Sequence, residues 1–82
     1  MKIERLISWF DRETEELTGE YNIDHIAFEL LKNIIKPSNE DPLMYNPYTL
    51  TREQSIALNK EVNFIFDFDK YIYQIDCFQI EP

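Results

Sequence analysis

His25 is the one histidine of this 82-residue sequence and Cys77 the one cysteine. The residue types that most often move protons or attack carbonyls near neutral pH therefore occur once each. A metal cluster or a general-base dyad needs convergent partners. His25 has no second histidine to join, and near the start of a helix it reads as a surface or packing residue. Cys77 falls inside an alternating apolar segment, where a thiol behaves as a small buried hydrophobe rather than a nucleophile. A lone cysteine also excludes an intramolecular disulfide and a cysteine-rich metal site, which suits a reducing cytoplasm. Gly19 is the only glycine, so no glycine-rich loop is available to cradle phosphate. Asp67 and Asp69 flank a turn that offers too few oxygens for a calcium loop. The expectation is a protein that is not an enzyme, with no catalytic residues, no metal and no cofactor.

What remains is binding, and the composition gives it a sign. Sixteen Asp and Glu stand against eight Lys and Arg, a formal net charge of -8. Such a surface repels a phosphate backbone and attracts a basic partner. Aromatic residues interleaved with bases would suggest stacking on nucleotides; here they are interleaved with acids. Direct binding to nucleic acid is therefore not expected. Hydrophobic residues make up 44% of the chain and aromatics 15%, enough for one packed domain over residues 1–82. The start, MKIERLISWFDRE, lacks the apolar run of a secretory signal, and no stretch reaches the length of a membrane-spanning helix. The expected location is the cytoplasm, away from membranes.

The positioning elements follow from periodicity. Lys2 to Phe10 reads as a strand with Ile3, Ile7 and Trp9 on one face and Leu6 and Phe10 on the other. Asp11–Thr14 is a polar turn. About Glu15 to Asn22 makes the return strand of a hairpin, with Leu17, Gly19 and Tyr21 on one face and Glu16, Thr18, Glu20 and Asn22 on the other. Asp24 is placed to cap a helix in which Ile26, Ala27, Leu30, Leu31, Ile34 and Ile35 follow helical spacing. Pro37 ends it. Residues 37–49, with Pro37, Pro42 and Pro47, read as loop. Thr51 and Gln54 fit a capping box for a short helix to about Lys60, packing through some of Ile56, Ala57 and Leu58. Val62, Phe64, Phe66 and Phe68 then alternate with Asn63, Ile65 and Asp67, turn at Asp69-Lys70, and lead to Tyr71, Tyr73, Ile75 and Cys77. This predicts a second hairpin. The fold expected is α+β, a four-stranded antiparallel sheet made of two β-hairpins with one or two short helices on one face.

The segment Trp9-Phe10-Asp11-Arg12, Thr14-Glu15-Glu16-Leu17 and Gly19-Glu20 resembles the opening of the cloacin immunity family, whose members protect bacteria from bacteriocins that cut ribosomal RNA. Tyr71-Ile72-Tyr73-Gln74-Ile75-Asp76 is similar, more loosely, to that family's aromatic strand ending in Asp. The resemblance covers the two ends of the chain, roughly half of it. The middle, about Ile23 to Lys60, does not match, and the family's acidic loop and Gly-Asp-rich tail are missing. Immunity proteins of contact-dependent growth inhibition toxins are a related possibility.

The resemblance implies a protein that binds the basic nuclease domain of a cognate toxin, an RNase, through its sheet. It also implies apolar anchors at Phe10, Leu17 and Ile72 set among acids, with phenylalanine in the family where this chain has Leu17 and Ile72. The partner-binding set expected is Phe10, Glu16, Leu17, Glu20, Ile72, Gln74 and Asp76. The residues themselves point the same way for Phe10, Ile72, Gln74 and Asp76: if the helix covers the Trp9 face, these four are left open. Leu17 depends on a hairpin register that alternation does not settle. The rival reading is an acidic adaptor or nucleic-acid mimic that binds another basic protein.

Overall fold

The computed structural model describes residues 2–80. Six elements follow one another: β1 (Lys2–Asp11), β2 (Leu17–Asn22), α1 (Phe28–Ile35), β3 (Tyr48–Thr49), α2 (Arg52–Leu58) and β4 (Tyr71–Ile80). The strands form one antiparallel sheet in the order β2-β1-β4-β3. The two long strands lie at its centre and are paired from Lys2↔Ile80 to Asp11↔Tyr71. The α+β class and the four antiparallel strands agree with the sequence expectation.

Alternation along β1 decides which face is the core. Ile7, Tyr73 and Ile75 are almost fully buried, and they join Ile23, Ile26, Leu31, Ile35, Met44, Leu50, Leu58 and Phe68 in one cluster. Burying one such side chain contributes about 1.5–3 kcal/mol. Helices and loops alike lie on this face, the one that carries Trp9. The Thr51–Gln54 capping box is present: Gln54 N–H donates to Thr51 Oγ1 at 3.1 Å and Thr51 N–H to Gln54 Oε1 at 3.0 Å. Of the expected contacts of α2, only Leu58 is buried; Ile56 is 75% exposed, and the helix stops at Leu58 rather than Lys60.

Three expectations need correction. The second hairpin does not form, because Val62–Phe68 is irregular chain rather than strand. Its alternation is real in burial, with Ile65 exposed and Phe64, Phe66 and Phe68 turned inward. Those rings lie over the covered face of the sheet instead of joining its edge. Phe64 sits 4.8 Å from Trp9, and Phe66 and Phe68 sit 4.9 and 5.1 Å from Tyr73, ring centre to ring centre. Tyr73 Oη also accepts a hydrogen bond from Asp67 N–H at 2.8 Å. A run of alternate aromatics satisfies its burial equally well on top of a sheet, without a ladder. The edge position goes to Tyr48–Thr49, inside the segment expected to be loop.

Asp24 does not cap α1. The helix starts at Phe28 after Ala27, which makes no side-chain cap. The Asp24 carboxylate instead accepts from Arg5 N–H at 2.9 Å and from Asn22 Nδ2 at 3.2 Å, closing the end of the β1–β2 pairing. The third correction concerns β2, which begins at Leu17; Glu15 and Glu16 belong to the hairpin loop. Trp9 pairs with Gly19 but Phe10 pairs with Leu17, so Thr18 is an extra residue in the ladder. This bulge transfers Leu17 from the Gly19 face to the Phe10 face.

Candidate functional site

Among the described residues, the helices and loops of the hydrophobic cluster pack on the face of Ile7, Tyr73 and Ile75 and leave the opposite face without one. Residues directly opposite in a ladder point to the same side of the sheet, so register alone builds this surface row by row. Leu17, Phe10 and Ile72 make one row across β2, β1 and β4. Glu20, Ser8, Gln74 and Thr49 make the next. Asn22, Leu6 and Asp76 form the third, and Glu4 and Phe78 the fourth. Lys2 stands opposite Ile80 at the far end.

Six of the seven expected partner-binding residues therefore fall on this single face: Phe10, Leu17, Glu20, Ile72, Gln74 and Asp76. The bulge at Thr18 is what brings Leu17 into the set. Glu16 lies just outside, exposed in the hairpin loop, where its carbonyl accepts from Asp11 N–H at 2.9 Å. Leu17 is 53% exposed and Ile72 36% in the first row, and Phe78 is 47% exposed in the fourth, with the polar Gln74 and Asp76 between them along β4. Along the first row, Phe10, Asp11, Glu15, Ile72 and Gln74 line a shallow depression of about 290 Å³. Ser8 and Phe78 were missed in the sequence. Both share the strand parity of Phe10 and Ile72, which is the signal that finds them.

Carboxylates surround the apolar row. Glu20 and Asp76 flank the β1 axis. Gln74 Nε2 donates to Asp76 Oδ1 at 2.6 Å, and Asn22 Nδ2 donates to Glu4 Oε2 at 3.0 Å. Lys2 is the one cation of these rows among the described residues. The face can thus offer apolar contact and negative charge together.

Hairpin mechanics account for much of the sequence motif. Asp11 Oδ1 accepts from Glu13 N–H at 2.8 Å and Thr14 N–H at 3.0 Å, which folds the turn. Those two backbone bonds, led by Thr14, hold the Asp11 carboxyl below the usual range. Thr14 Oγ1 accepts from Glu16 N–H at 3.3 Å. Gly19 lies under the Trp9 indole, where a β-carbon would overlap the ring. Trp9, Asp11, Thr14 and Gly19 are thus explained by the turn and the pairing, whereas Phe10, Leu17 and Glu20 are not needed for either.

His25 and Asp67 have structural partners, and Cys77 is partly buried. The chain belongs to a domain family of unknown function, DUF7683. That family's model matches residues 4–76, which takes in β1 from Glu4, β2 and β4 as far as Asp76, and hence the DUF7683 open face through its first three rows. No curated protein matches the chain. Within this DUF7683 domain, His25 Nε2 meets the Glu61 carbonyl at 2.7 Å and its ring meets Tyr21 edge-on at 5.9 Å. Burial pushes the Cys77 thiol above its ordinary pKa, which disfavours the nucleophilic thiolate. Asp67 Oδ1 accepts from Asp69 N–H and Lys70 N–H as a turn former. Among the described residues, no group of three or more His, Cys, Asp or Glu is placed to hold a metal ion, and no helix is long and apolar enough to cross a membrane.

Proposed function

We propose that the protein is a cytoplasmic immunity protein that works by binding, not catalysis. The open face of its sheet would engage the basic nuclease domain of a cognate bacterial toxin. The observation that carries this reading is the row Leu17–Phe10–Ile72, apolar and uncovered by the core, on a chain of net charge -8. Electrostatic attraction steers the basic domain toward the sheet, and the apolar row is desolvated on docking as a small group of hot spots. Glu16, Glu20 and Asp76 pair with the basic residues that the toxin uses to hold RNA, so substrate and inhibitor compete for the same charges. The likeness of the Trp9–Glu20 segment to the cloacin immunity family supports the same partner class.

The test is capture with the protein as bait in a lysate of its source cell, the captured chain being identified by mass. The expected result is a basic toxin domain whose nuclease activity is lost in the complex. Capture of a basic housekeeping protein instead, with no toxin domain, would favour the adaptor reading and remove the immunity assignment.

A further inference from the structure

β2 is the outermost strand on its side of the sheet. Its pairing with β1 fixes which backbone groups it leaves over, because residues of an antiparallel strand bond alternately to one side and to the other. Ile23 N–H donates to the Arg5 carbonyl at 2.9 Å, so in the same register Tyr21 and Gly19 turn their bonds toward β1. Glu20 and Asn22 therefore turn N–H and C=O outward. Among the described residues, no strand or loop backbone bonds to these four groups. Such an edge is a template for another strand, and lysine or proline commonly guards it. Leu17–Asn22 contains neither. Its one irregularity, the bulge at Thr18, lies near the start of the strand, away from Asn22.

The flanking side chains state what an added strand must carry. A residue placed opposite Glu20 lands beside its exposed side chain on the open face. One placed opposite Asn22 meets two more carboxylates, since Asn22 Nδ2 donates to Glu4 Oε2 at 3.0 Å and to Asp24 Oδ2 at 3.2 Å. The residue between them faces the covered side and lies along Tyr21, whose ring meets His25 edge-on. The matching sequence is basic, apolar, basic. A second copy of this chain does not fit. Two-fold pairing at this edge sets the two Glu20 side chains opposite or diagonal to each other, between molecules of net charge -8. The stretch of β4 beyond its pairing with β3, Cys77–Ile80, is uncharged and offers a basic segment no such match.

We propose that the outer edge of β2 receives an extended basic–apolar–basic segment of the partner as a fifth strand. Main-chain hydrogen bonds to Glu20 and Asn22 hold the segment, and side chains on alternate positions select it. One basic side chain meets Glu20 and the other meets Glu4 and Asp24. The proposal rests on the basic-partner reading given above. It lengthens the open face by one strand, on the side of Leu17, and makes the backbone of β2 part of the recognition.

The experiment is a titration of the native protein with the peptide acetyl-Arg-Val-Arg-Val-Arg-amide and, separately, with its glutamate counterpart, followed by backbone amide NMR. The expected result with the arginine peptide is a set of shifts centred on Glu20, Tyr21 and Asn22, with slowed hydrogen exchange at the Glu20 and Asn22 amides. The glutamate peptide should bind at least about tenfold more weakly, because its charges oppose those of the edge. Glu20→Ala removes the carboxylate alone. Glu20→Pro removes the outward N–H as well, and proline is tolerated at an edge position whose N–H faces solvent. Glu20→Pro should bind about fivefold more weakly than Glu20→Ala, the worth of one hydrogen bond. If Glu20→Pro does not fold, the exchange rates in the native protein decide. Shifts centred elsewhere, equal binding of the two peptides, unchanged exchange at Glu20 and Asn22, equal affinity of folded Glu20→Pro and Glu20→Ala, or no shifts at the solubility limit would each overturn the fifth strand. Toxin capture that still depends on Phe10 would then show that only the edge assignment had failed.

Discussion

The indole of Trp9 lies across Gly19, its cross-strand partner, so closely that no β-carbon fits between them. This contact sets the β1–β2 register on the covered face, and one residue later the bulge at Thr18 turns Leu17 to the other side. Replacing Gly19 with Ala forces the indole to move. The expected cost is about 1–3 kcal/mol, the range for overpacking a close contact. A urea midpoint unchanged from the parent would show that the indole is not held there.

Stability and binding should separate across the sheet. Ile7→Ala removes a fully buried side chain from the core face and should cost about 2–5 kcal/mol. Phe10→Ala, three residues along β1 on the open face and outside the core cluster, should cost less than about 1 kcal/mol, within the range of substitutions away from the core. Urea unfolding of the two variants checks the contrast. Similar losses for both would mean that Phe10 is part of the core after all.

The loop before β3 predicts a pH dependence. Asp41 is buried and accepts from Tyr48 Oη at 2.6 Å, Tyr45 N–H at 2.9 Å and Asn46 N–H at 3.0 Å. These bonds, led by that of Tyr48, hold the Asp41 carboxyl below its ordinary value of 3.8, and the bond to Asp41, with burial, pushes the Tyr48 hydroxyl above its ordinary 10.0. The native state thus binds fewer protons at Asp41 than the unfolded chain does. Its contribution is present above pH 3.8 and is lost as pH falls through the lowered native value. The Tyr48 contribution has the opposite sense, present below pH 10.0 and lost as pH rises through the raised value. Asp41→Asn should flatten the acid limb of the stability curve measured by thermal unfolding against pH. An acid limb identical to the parent's would place the linkage at other groups, Asp11 first among them.

Lys36 closes α1 in the left-handed region, at φ 55°, with its N–H on the Lys32 carbonyl at 2.8 Å. Glycine adopts this conformation without a β-carbon penalty. Lys36→Gly should therefore raise stability by up to about 1 kcal/mol, read as a higher thermal midpoint. A fall would mean that the lysine stem contributes more packing than its backbone costs.

How far the sequence discloses all this depends on the kind of signal. Local chemistry is legible: Thr51 and Gln54 announce α2, and Pro37 marks the end of α1. Face assignment in β1 and β4 is legible too, since period two places Phe10, Ile72, Gln74 and Asp76 together without any knowledge of pairing. Leu17 is not legible, because a single extra residue at Thr18 reverses its face and alternation has no means of detecting a bulge. The Val62–Phe68 segment misleads for a different reason. Alternate aromatics report burial on one side of an extended chain, not hydrogen bonding to a neighbour. Asp24 misleads because a carboxylate before an apolar helical pattern suits several orphan N–H groups, and here Arg5 of β1 takes it.

The most direct test of the open face is a calorimetric titration of the cognate toxin's nuclease domain with the native protein and with Phe10→Ala, Glu20→Gln and Ile56→Ala. Ile56 is exposed on α2, away from the sheet, and serves as the control. Phe10→Ala should weaken binding by about 30-fold or more, the loss of a hot-spot residue, and Glu20→Gln by less. Ile56→Ala should bind as the parent does. Equal affinity of Phe10→Ala and the parent, or a larger loss at Ile56 than at Phe10, would contradict the account and move the binding surface off the sheet.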